Sequence, residues 1–293
     1  MLGRSALSFE AAGRVDMYLQ PRTVEEACLA LAAHPCAVVS GGTDYFPALG
    51  DRAPIGPLMD ISGLRDLEGI ELQADHIRIG ARTTWSEIAS AALPPYFDAL
   101  KQAAREVGSV QIQNTGTIGG NLCNASPAAD GAPPLLALDA EVELTSGVGR
   151  RLLPLAEFLV GNRRTLRRPD ELLTVILVPR TIEGGRSRFL KLGARRYLVI
   201  SIVMVAAIIE VVEGRVRQAR VAVGSCSAAA QRLPILEQAL VGAPVGPGLG
   251  ALAVAEHLAP LTPITDVRAT AAYRDDAALI LVRRGIEACV EGA

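Results

Sequence analysis

Helix-like and strand-like hydrophobic patterns alternate over the first sixty residues. Apolar positions recur with helical spacing after Thr23, a suitable N-cap, with Glu26 at the capping-box position, until Pro35 ends the segment. Apolar runs at 37–39 and 57–61 have the length of short buried strands. A helix between short strands with brief connections predicts a small parallel sheet.

The middle of the chain has the pattern of antiparallel strands and helices. Alternating apolar and polar residues indicate β-hairpins over 69–80 and 141–153, and an apolar run indicates a strand over 171–179. Helical signals begin at Thr84 and at Pro94.

The last third begins with two long apolar runs. Residues 203–212 and 216–223 flank Glu213-Gly214-Arg215, a turn typical of a β-hairpin. The alanine-rich chain from Gln231 onward is predicted to be mostly helical.

Changes in this pattern divide the chain into three parts. The boundaries fall near Ile61 and within residues 180–185, and residues 108–134 form an irregular segment inside the middle part. A small α/β piece, a middle part of antiparallel strands and helices, and a final part of the same kind predict an α+β protein.

Composition narrows the classes of function. Of 293 residues, 50% are hydrophobic and 20% charged, with a net charge of −2, so a large core can form and the basic surface of a nucleic-acid or anionic-membrane binder is not expected. The five cysteines are odd in number and form no C-x-x-C pair, which argues against a disulfide framework, a zinc ribbon or an iron–sulfur cluster held by this chain alone.

The chain shows no export or membrane-spanning pattern. The first 14 residues contain no apolar signal-peptide core. The longest apolar run, over residues 197–209, is shorter than the roughly 20 residues of a membrane helix. We therefore expect a cytoplasmic protein without a membrane span.

Two glycine-rich segments are the strongest candidates for ligand binding. Residues 38–45 follow a predicted strand, and residues 114–121 lie in the irregular segment. Paired glycines beside Ser or Thr allow close backbone approach and aim N–H groups at a phosphate, so the two segments could hold a pyrophosphate between them. A simple tight turn is the alternative for each segment.

Other chemical motifs are few. No Walker A sequence occurs, and residues 246–251 fit G-x-G-x-x-A only by letter, because no strand precedes them. Asp130 could accept a bond from a sugar hydroxyl or could cap a helix. Lys191, near Arg195 and Arg196, could stabilise an anionic or electron-rich ligand or belong to a solvated edge. The three histidines form no triad-like motif with Ser or Cys.

Residues 117–130, TIGGNLCNASPAAD, resemble the signature of the FAD-binding subunit of molybdenum hydroxylases, the xanthine dehydrogenase and aerobic carbon monoxide dehydrogenase family. Residues 40–44, SGGTD, resemble the first flavin loop of that family. Supporting matches follow in the same order and cover almost the whole chain. They are residues 170–173, Lys191 with Arg195 and Arg196, residues 264–268 and residues 272–274.

The resemblance implies a three-part flavoprotein. Residues 1–61 would be an N-terminal α/β FAD-binding subdomain, residues 62–182 a middle α+β FAD-binding subdomain, and residues 183–293 a C-terminal domain of antiparallel strands and helices that closes over the isoalloxazine. The implied cofactor-binding residues are Val39, Ser40, Gly41, Gly42, Thr43, Asp44, Tyr45, Thr117, Ile118, Gly119, Gly120, Asn121, Asp130, Leu173 and Lys191.

The resemblance also implies partners. A large subunit would carry the molybdenum cofactor and a small subunit [2Fe-2S] clusters, in a dimer of heterotrimers. Electrons would pass through the clusters to FAD on this chain and on to NAD, a quinone or another acceptor, with the flavin as the reactive group and no catalytic side chain. Scattered cysteines fit clusters on another chain, and the cysteine-rich insertion of a 4-hydroxybenzoyl-CoA reductase type is missing. Gln113 stands where the family often has arginine.

Two other functions are compatible with these residues. A stand-alone flavin oxidoreductase of the same fold would turn over a substrate without partner subunits. A non-enzymatic assembly scaffold would have lost its flavin.

Overall fold

Four β-sheets and the helices packed on them organise the chain in the computed structural model, which describes residues 17–291. The strands are β1 (Tyr18–Leu19), β2 (Ala37–Val39), β3 (Leu58–Asp60), β4 (Ile70–Leu72), β5 (His76–Gly80), β6 (Glu141–Ser146), β7 (Gly149–Pro154), β8 (Leu159–Gly161), β9 (Arg164–Thr165), β10 (Leu172–Pro179), β11 (Gly185–Leu192), β12 (Val203–Val212), β13 (Arg215–Gly224) and β14 (Gln231–Arg232). The α-helices are α1 (Val24–Ala33), α2 (Tyr45–Leu49), α3 (Trp85–Ser90), α4 (Asp98–Glu106), α5 (Val110–Gln113), α6 (Ile118–Asn124), α7 (Ala132–Ala137), α8 (Leu155–Phe158), α9 (Pro234–Leu240) and α10 (Ala271–Val290).

The N-terminal sheet is parallel, as the pattern predicts. Its strand order is β1-β3-β2, with β1 and β2 both parallel to β3. Thr23 caps α1 by accepting the N–H of Glu26 at 3.1 Å, and the Glu26 carboxylate accepts the N–H of Arg22 at 2.8 Å. These two bonds satisfy donors that a helix start leaves free.

The middle sheet is antiparallel, in the order β4-β5-β10-β6-β7. Both predicted hairpins are present, β4–β5 and β6–β7, and β10 lies between them at the centre. The helix predicted from Thr84 is α3, where Thr84 and Glu87 form a complete capping box.

Two stretches differ from their predicted structure. Residues 108–134 contain three short helices, α5, α6 and α7, rather than an irregular run. Helices of four to seven residues are too short to show a 3.6-residue hydrophobic period, although Ser109 and Thr117 cap two of them. Residues 241–270 are not helical as predicted, apart from 3₁₀ turns at Leu249–Leu252 and Ala255–Leu258.

The C-terminal sheet is antiparallel in the order β11-β12-β13-β14, and β12 is covered on both faces. Met204, Ala206 and Ile208 join the same hydrophobic core as the middle sheet. Val205 and Ala207 join a second core that includes residues of α9 and α10. Burial on both sides explains why β12 is an uninterrupted apolar run.

A buried arginine joins α10 to the start of this sheet. Arg274 is 3% exposed and donates to the Ile202 carbonyl at 2.5 Å and the Ser225 carbonyl at 3.0 Å. Its guanidinium also pairs with Asp266 at 2.8 Å, which supplies the opposite charge that a buried cation requires.

The observed architecture confirms the α+β class. The division at 61 and 182 stays a prediction. The N-terminal residues searched for an export signal lie outside the described range. Within residues 17–291, no helix is long and apolar enough to cross a membrane.

Candidate functional site

A cleft of about 1190 Å³ runs between the N-terminal sheet, the middle part and the start of the C-terminal part. Both glycine-rich segments line it, together with the β8–β9 hairpin, β10 and residues 198–200. Its volume exceeds the roughly 300–1,000 Å³ typical of small-molecule pockets, so it suits an extended ligand.

The first glycine loop offers backbone donors to this cleft. Residues 40–45 connect β2 to α2, and Gly42 has a φ of +65°, a conformation that favours glycine. Within the part of the chain that the structure describes, no protein acceptor takes the N–H groups of residues 41–45. Consecutive free N–H groups at a cleft wall suit an anion such as a phosphate.

The two glycine loops touch each other. A Cβ placed on Gly41 would overlap the backbone carbonyl of Thr115, and one on Gly116 would lie 3.2 Å from the Thr43 hydroxyl. Close backbone approach therefore requires glycine at position 41. The predicted juxtaposition of the two segments is thus present, and they form adjoining walls of one cleft.

The second glycine loop starts helix α6, and the N–H groups of residues 118–121 are already used. Those of Ile118 and Gly119 donate to the Thr83 and Ala81 carbonyls, at 3.0 and 2.8 Å. Those of Gly120 and Asn121 donate to Thr117. Residues 118–121 can therefore contribute close approach and side chains, whereas the run of consecutive free N–H donors lies in the first loop.

Asn121 carries an unsatisfied polar atom at the cleft. Its Oδ1 is buried and has no hydrogen-bond partner within residues 17–291. The same holds for Nε of Arg82, another lining residue. Buried polar atoms normally have partners, so these two are exceptions beside the cleft.

Thirteen of the fifteen residues implied by the resemblance line the cleft. Ile118 does not, because its fully buried side chain packs in the core of the middle part. Lys191 also lies outside the lining, in an adjacent groove of about 530 Å³ that includes Arg105, Arg195 and Arg196. That these residues bind a cofactor stays a prediction.

Asp130, at the cleft wall, forms a buried ion pair with Lys191. Lys191 Nζ lies 2.6 Å from Asp130 Oδ2, and each side chain is 8% exposed. Ser201 donates to Asp130 Oδ1 at 2.8 Å, and Lys191 also donates to the Glu106 carbonyl at 3.3 Å. Burial raises the pKa of the Asp130 carboxyl, an effect opposed by Lys191 and Ser201. Through Glu106, Asp130 and Lys191, these bonds join helix α4, residues 117–130 and strand β11.

Arginines of the β8–β9 region line the cleft and were missed from the sequence. They are Arg163, Arg164 and Arg167. The signal available was four arginines within residues 163–168. The neighbouring acid Glu171 is fully buried: burial favours its protonated form, but hydrogen bonds from Arg151 and the Arg168 N–H prevail and lower its pKa.

Gln113 has a structural role here. Its Nε2 donates to the carbonyls of Arg105 and Val107, each at 3.0 Å, and so ties α5 to the end of α4. Gln113 is not among the residues lining the cleft.

The cysteines are dispersed in space as well as in sequence. Cys36 and Cys123 line the cleft, while Cys28, Cys226 and Cys289 are buried elsewhere. Residues 17–291 contain no group of three or more His, Cys, Asp or Glu side chains that could hold a metal ion.

Comparison with known proteins covers nearly the whole chain. Residues 8–181 match the model of the FAD binding domain in molybdopterin dehydrogenase, and residues 188–289 match the CO dehydrogenase flavoprotein C-terminal domain. The chain is 35% identical over 240 residues to the nicotinate dehydrogenase FAD-subunit of Eubacterium barkeri, covering 78% of this chain and 80% of that protein. It is 29% identical over 273 residues to the nicotine 6-hydroxylase medium subunit of Paenarthrobacter nicotinovorans, covering 92% and 95%.

A solved structure shares the fold. A chain of carbon monoxide dehydrogenase from Hydrogenophaga pseudoflava superposes with a TM-score of 0.85 at 26% identity, covering 95% of this chain and 98% of that one. These matches confirm the resemblance seen in residues 40–44 and 117–130, and with it FAD as the cofactor. The chain belongs to the family of FAD-binding subunits of molybdopterin dehydrogenases and is a flavoprotein subunit of an oxidoreductase.

Proposed function

We propose that this chain is the FAD-carrying electron-transfer subunit of a multisubunit molybdenum hydroxylase. The observation that carries the proposal is the pair of touching glycine loops, one with free N–H groups at residues 41–45, at the wall of a cleft of about 1190 Å³. A dinucleotide diphosphate is a dianion that such a wall would hold.

The residues present fit FAD along the length of the cleft. The diphosphate would lie against residues 41–45, with Asn121 in the lining of the same cleft. Leu173 and residues 198–200 would form the apolar wall beside the isoalloxazine. When bound, FAD supplies the acceptance and release of electrons, and the chain supplies binding, orientation and charge.

The Asp130–Lys191 pair would shape the wall rather than present a free charge. Because the two groups neutralise each other at 2.6 Å, Lys191 would act on the flavin only through Asp130 and the fixed position of β11. Leu198, Val199 and Ile200 would limit water at the same end.

The proposed partners follow from the names of the relatives. The chain is similar over most of its length to proteins named as a FAD-subunit and as a medium subunit of dehydrogenases or hydroxylases. We infer a large subunit with the molybdenum cofactor and a small subunit with [2Fe-2S] clusters, in a cytoplasmic dimer of heterotrimers that delivers electrons from FAD to NAD, a quinone or another acceptor.

The test is the composition and electron flow of the native complex. A tag on this chain should isolate a complex containing FAD, molybdenum and iron, with the molybdenum and iron bound to the other two subunits. Once reduced with dithionite, the complex should be reoxidised by NAD⁺ or a quinone, and flavin removal should abolish this reoxidation. A flavoprotein that isolates without metal and catalyses turnover alone would contradict the proposal and favour a stand-alone oxidoreductase.

A further inference from the structure

The charges lining the cleft are unbalanced in favour of cations. The lining acids are Asp44, Asp130 and Glu171, and two of them are already paired: Asp130 with Lys191 and Glu171 with arginines outside the cleft. By contrast, the three cations of the β8–β9 region have no carboxylate within ion-pair distance among residues 17–291. We call Arg163, Arg164 and Arg167 the arginine wall.

Hydrogen bonds hold the arginine wall without neutralising it. Arg163 occupies the turn of the β8–β9 hairpin with φ +57°, and its guanidinium contacts the Asn124 amide oxygen. Arg167 donates to the Glu171 carbonyl at 2.6 Å and the Arg168 carbonyl at 3.1 Å. Carbonyl and amide oxygens carry no net charge, so the positive charge remains available to an anion.

Arg164 is the least engaged member of the wall. It lines the cleft and is exposed, and no hydrogen bond or ion pair engages its side chain within the described residues. A cleft lined by charges of one sign attracts ligands of the opposite sign, so an unengaged arginine at this wall suits an anion.

The hairpin is anchored close to the glycine loops. The Arg163 N–H donates to the Ala125 carbonyl at 2.9 Å, at the C-terminal end of α6. Gly120, at the other end of α6, is one helical turn before Asn124, or ~6 Å along the helix axis. The arginine wall and the first glycine loop therefore line one cleft, with α6 between them in the chain.

We propose that the arginine wall is a second, cationic binding surface for the diphosphate of FAD, with Arg164 as its mobile contact. The backbone N–H groups of residues 41–45 would hold the anion on one side and the guanidinium groups would hold it on the other. Guanidinium groups suit this role because they bind phosphate oxygens in a bidentate manner. The proposal rests on the cofactor placement given above.

The test compares flavins with and without phosphate on the full-length chain after flavin removal. FAD and riboflavin affinities would be measured by flavin fluorescence for the wild type, Arg164→Ala, Arg164→Lys and Arg167→Gln. Arg150→Ala, an exposed arginine of β7 that does not line the cleft, is the matched control. Measurements at low and high salt separate charge from contact.

We expect Arg164→Ala to weaken FAD binding by about tenfold to hundredfold at low salt, as for loss of one charge-assisted hydrogen bond. Arg164→Lys should restore only part of this loss, because lysine keeps the charge but not the bidentate geometry. Riboflavin affinity should not change, and the difference from wild type should shrink at high salt. Arg167→Gln should act in the same direction, and Arg150→Ala should bind FAD like the wild type.

Three results would overturn the arginine wall. The first is unchanged FAD affinity in both Arg164→Ala and Arg167→Gln. The second is an equal loss of affinity for riboflavin, and the third is a loss of FAD affinity that is as large at high salt as at low salt. A wild-type chain that binds no FAD would instead contradict the placement of the cofactor, so the two failures are distinguishable.

Discussion

Replacing Lys191 with methionine should destabilise the protein far more than the loss of a surface ion pair. Methionine keeps much of the side-chain volume but removes the ammonium group 2.6 Å from Asp130. The Asp130 carboxylate would then keep one side-chain donor, Ser201, in a buried site. A buried charge without its counter-charge is what makes this substitution costly.

The expected magnitude follows from the burial of the pair. Exposed pairs contribute ~0.2–1 kcal/mol, but both side chains here are only 8% exposed. Breaking a buried pair by removing one partner costs about 3–5 kcal/mol. At about 2–4 °C per kcal/mol for a chain of this size, the melting temperature should fall by roughly 6–20 °C.

The penalty should also depend on pH, with a defined sign. Burial already raises the pKa of Asp130, and losing Lys191 removes an opposing effect. In the variant, the folded-state pKa of Asp130 therefore lies further above its unfolded value. Stability linked to this group is present below the unfolded pKa and is lost as pH rises through the folded pKa. Lys191→Met should thus approach the wild type at acidic pH and differ most at neutral pH.

Thermal and urea unfolding of a double-mutant cycle would measure the coupling. The set is the wild type, Lys191→Met, Asp130→Asn and the double variant. Lys101→Met, at the other lysine of the chain, is the control. The double variant should lose much less than the sum of the single losses, because no charge is left unpaired. Additive single losses below about 1 kcal/mol would refute the reasoning.

Three further predictions concern other parts of the molecule. Gly41→Ala should lower flavin content in the purified protein, because its methyl group overlaps a backbone carbonyl of the neighbouring loop, whereas Gly147→Ala, in open space, should not. Acidification below about pH 4.3 should lower the free energy of unfolding of the wild type more than that of Glu171→Gln. The reason is that the stability linked to the lowered pKa of Glu171 is lost as pH falls, and urea unfolding at a series of pH values measures it. Arg274→Met should cost about 2–6 kcal/mol in urea unfolding, because the carbonyls of Ile202 and Ser225 lose their donor, whereas Asp266 keeps Arg268 as a partner.

The sequence predicts the strands and the glycine loops well because their signals are local. Turn residues such as Glu213 and Gly214, both with positive φ, identify the β12–β13 hairpin without knowledge of its surroundings. Thr23 and Thr84 identify helix starts in the same way. The contact between Gly41 and Thr115 depends on tertiary structure: the paired glycines predicted that the two segments face one ligand, but not that their backbones touch.

The remaining features depend on which groups are satisfied by neighbours distant in sequence. Nothing near Thr117 indicates that Ala81 and Thr83 accept the N–H groups of the second loop. Likewise, the basic residues near Lys191 in the sequence suggest a solvated surface. The Lys191 side chain is buried instead, in an ion pair with Asp130, which lies 61 residues away in the sequence. The four arginines within residues 163–168 form no pattern that predicts a helix, a strand or a site. Three of them line the cleft because the β8–β9 hairpin places them there.

Because β12 contributes to two hydrophobic cores, it limits how the C-terminal region can be replaced by that of a relative. The two matched family regions meet between residues 181 and 188, yet Met204, Ala206 and Ile208 from the second region complete the core of the first. Cutting the protein at that junction would expose an apolar surface on each of the two pieces. Exchanging the C-terminal half with that of a relative would therefore require matching the inward-facing side chains of β12, even though the junction itself lies outside that strand.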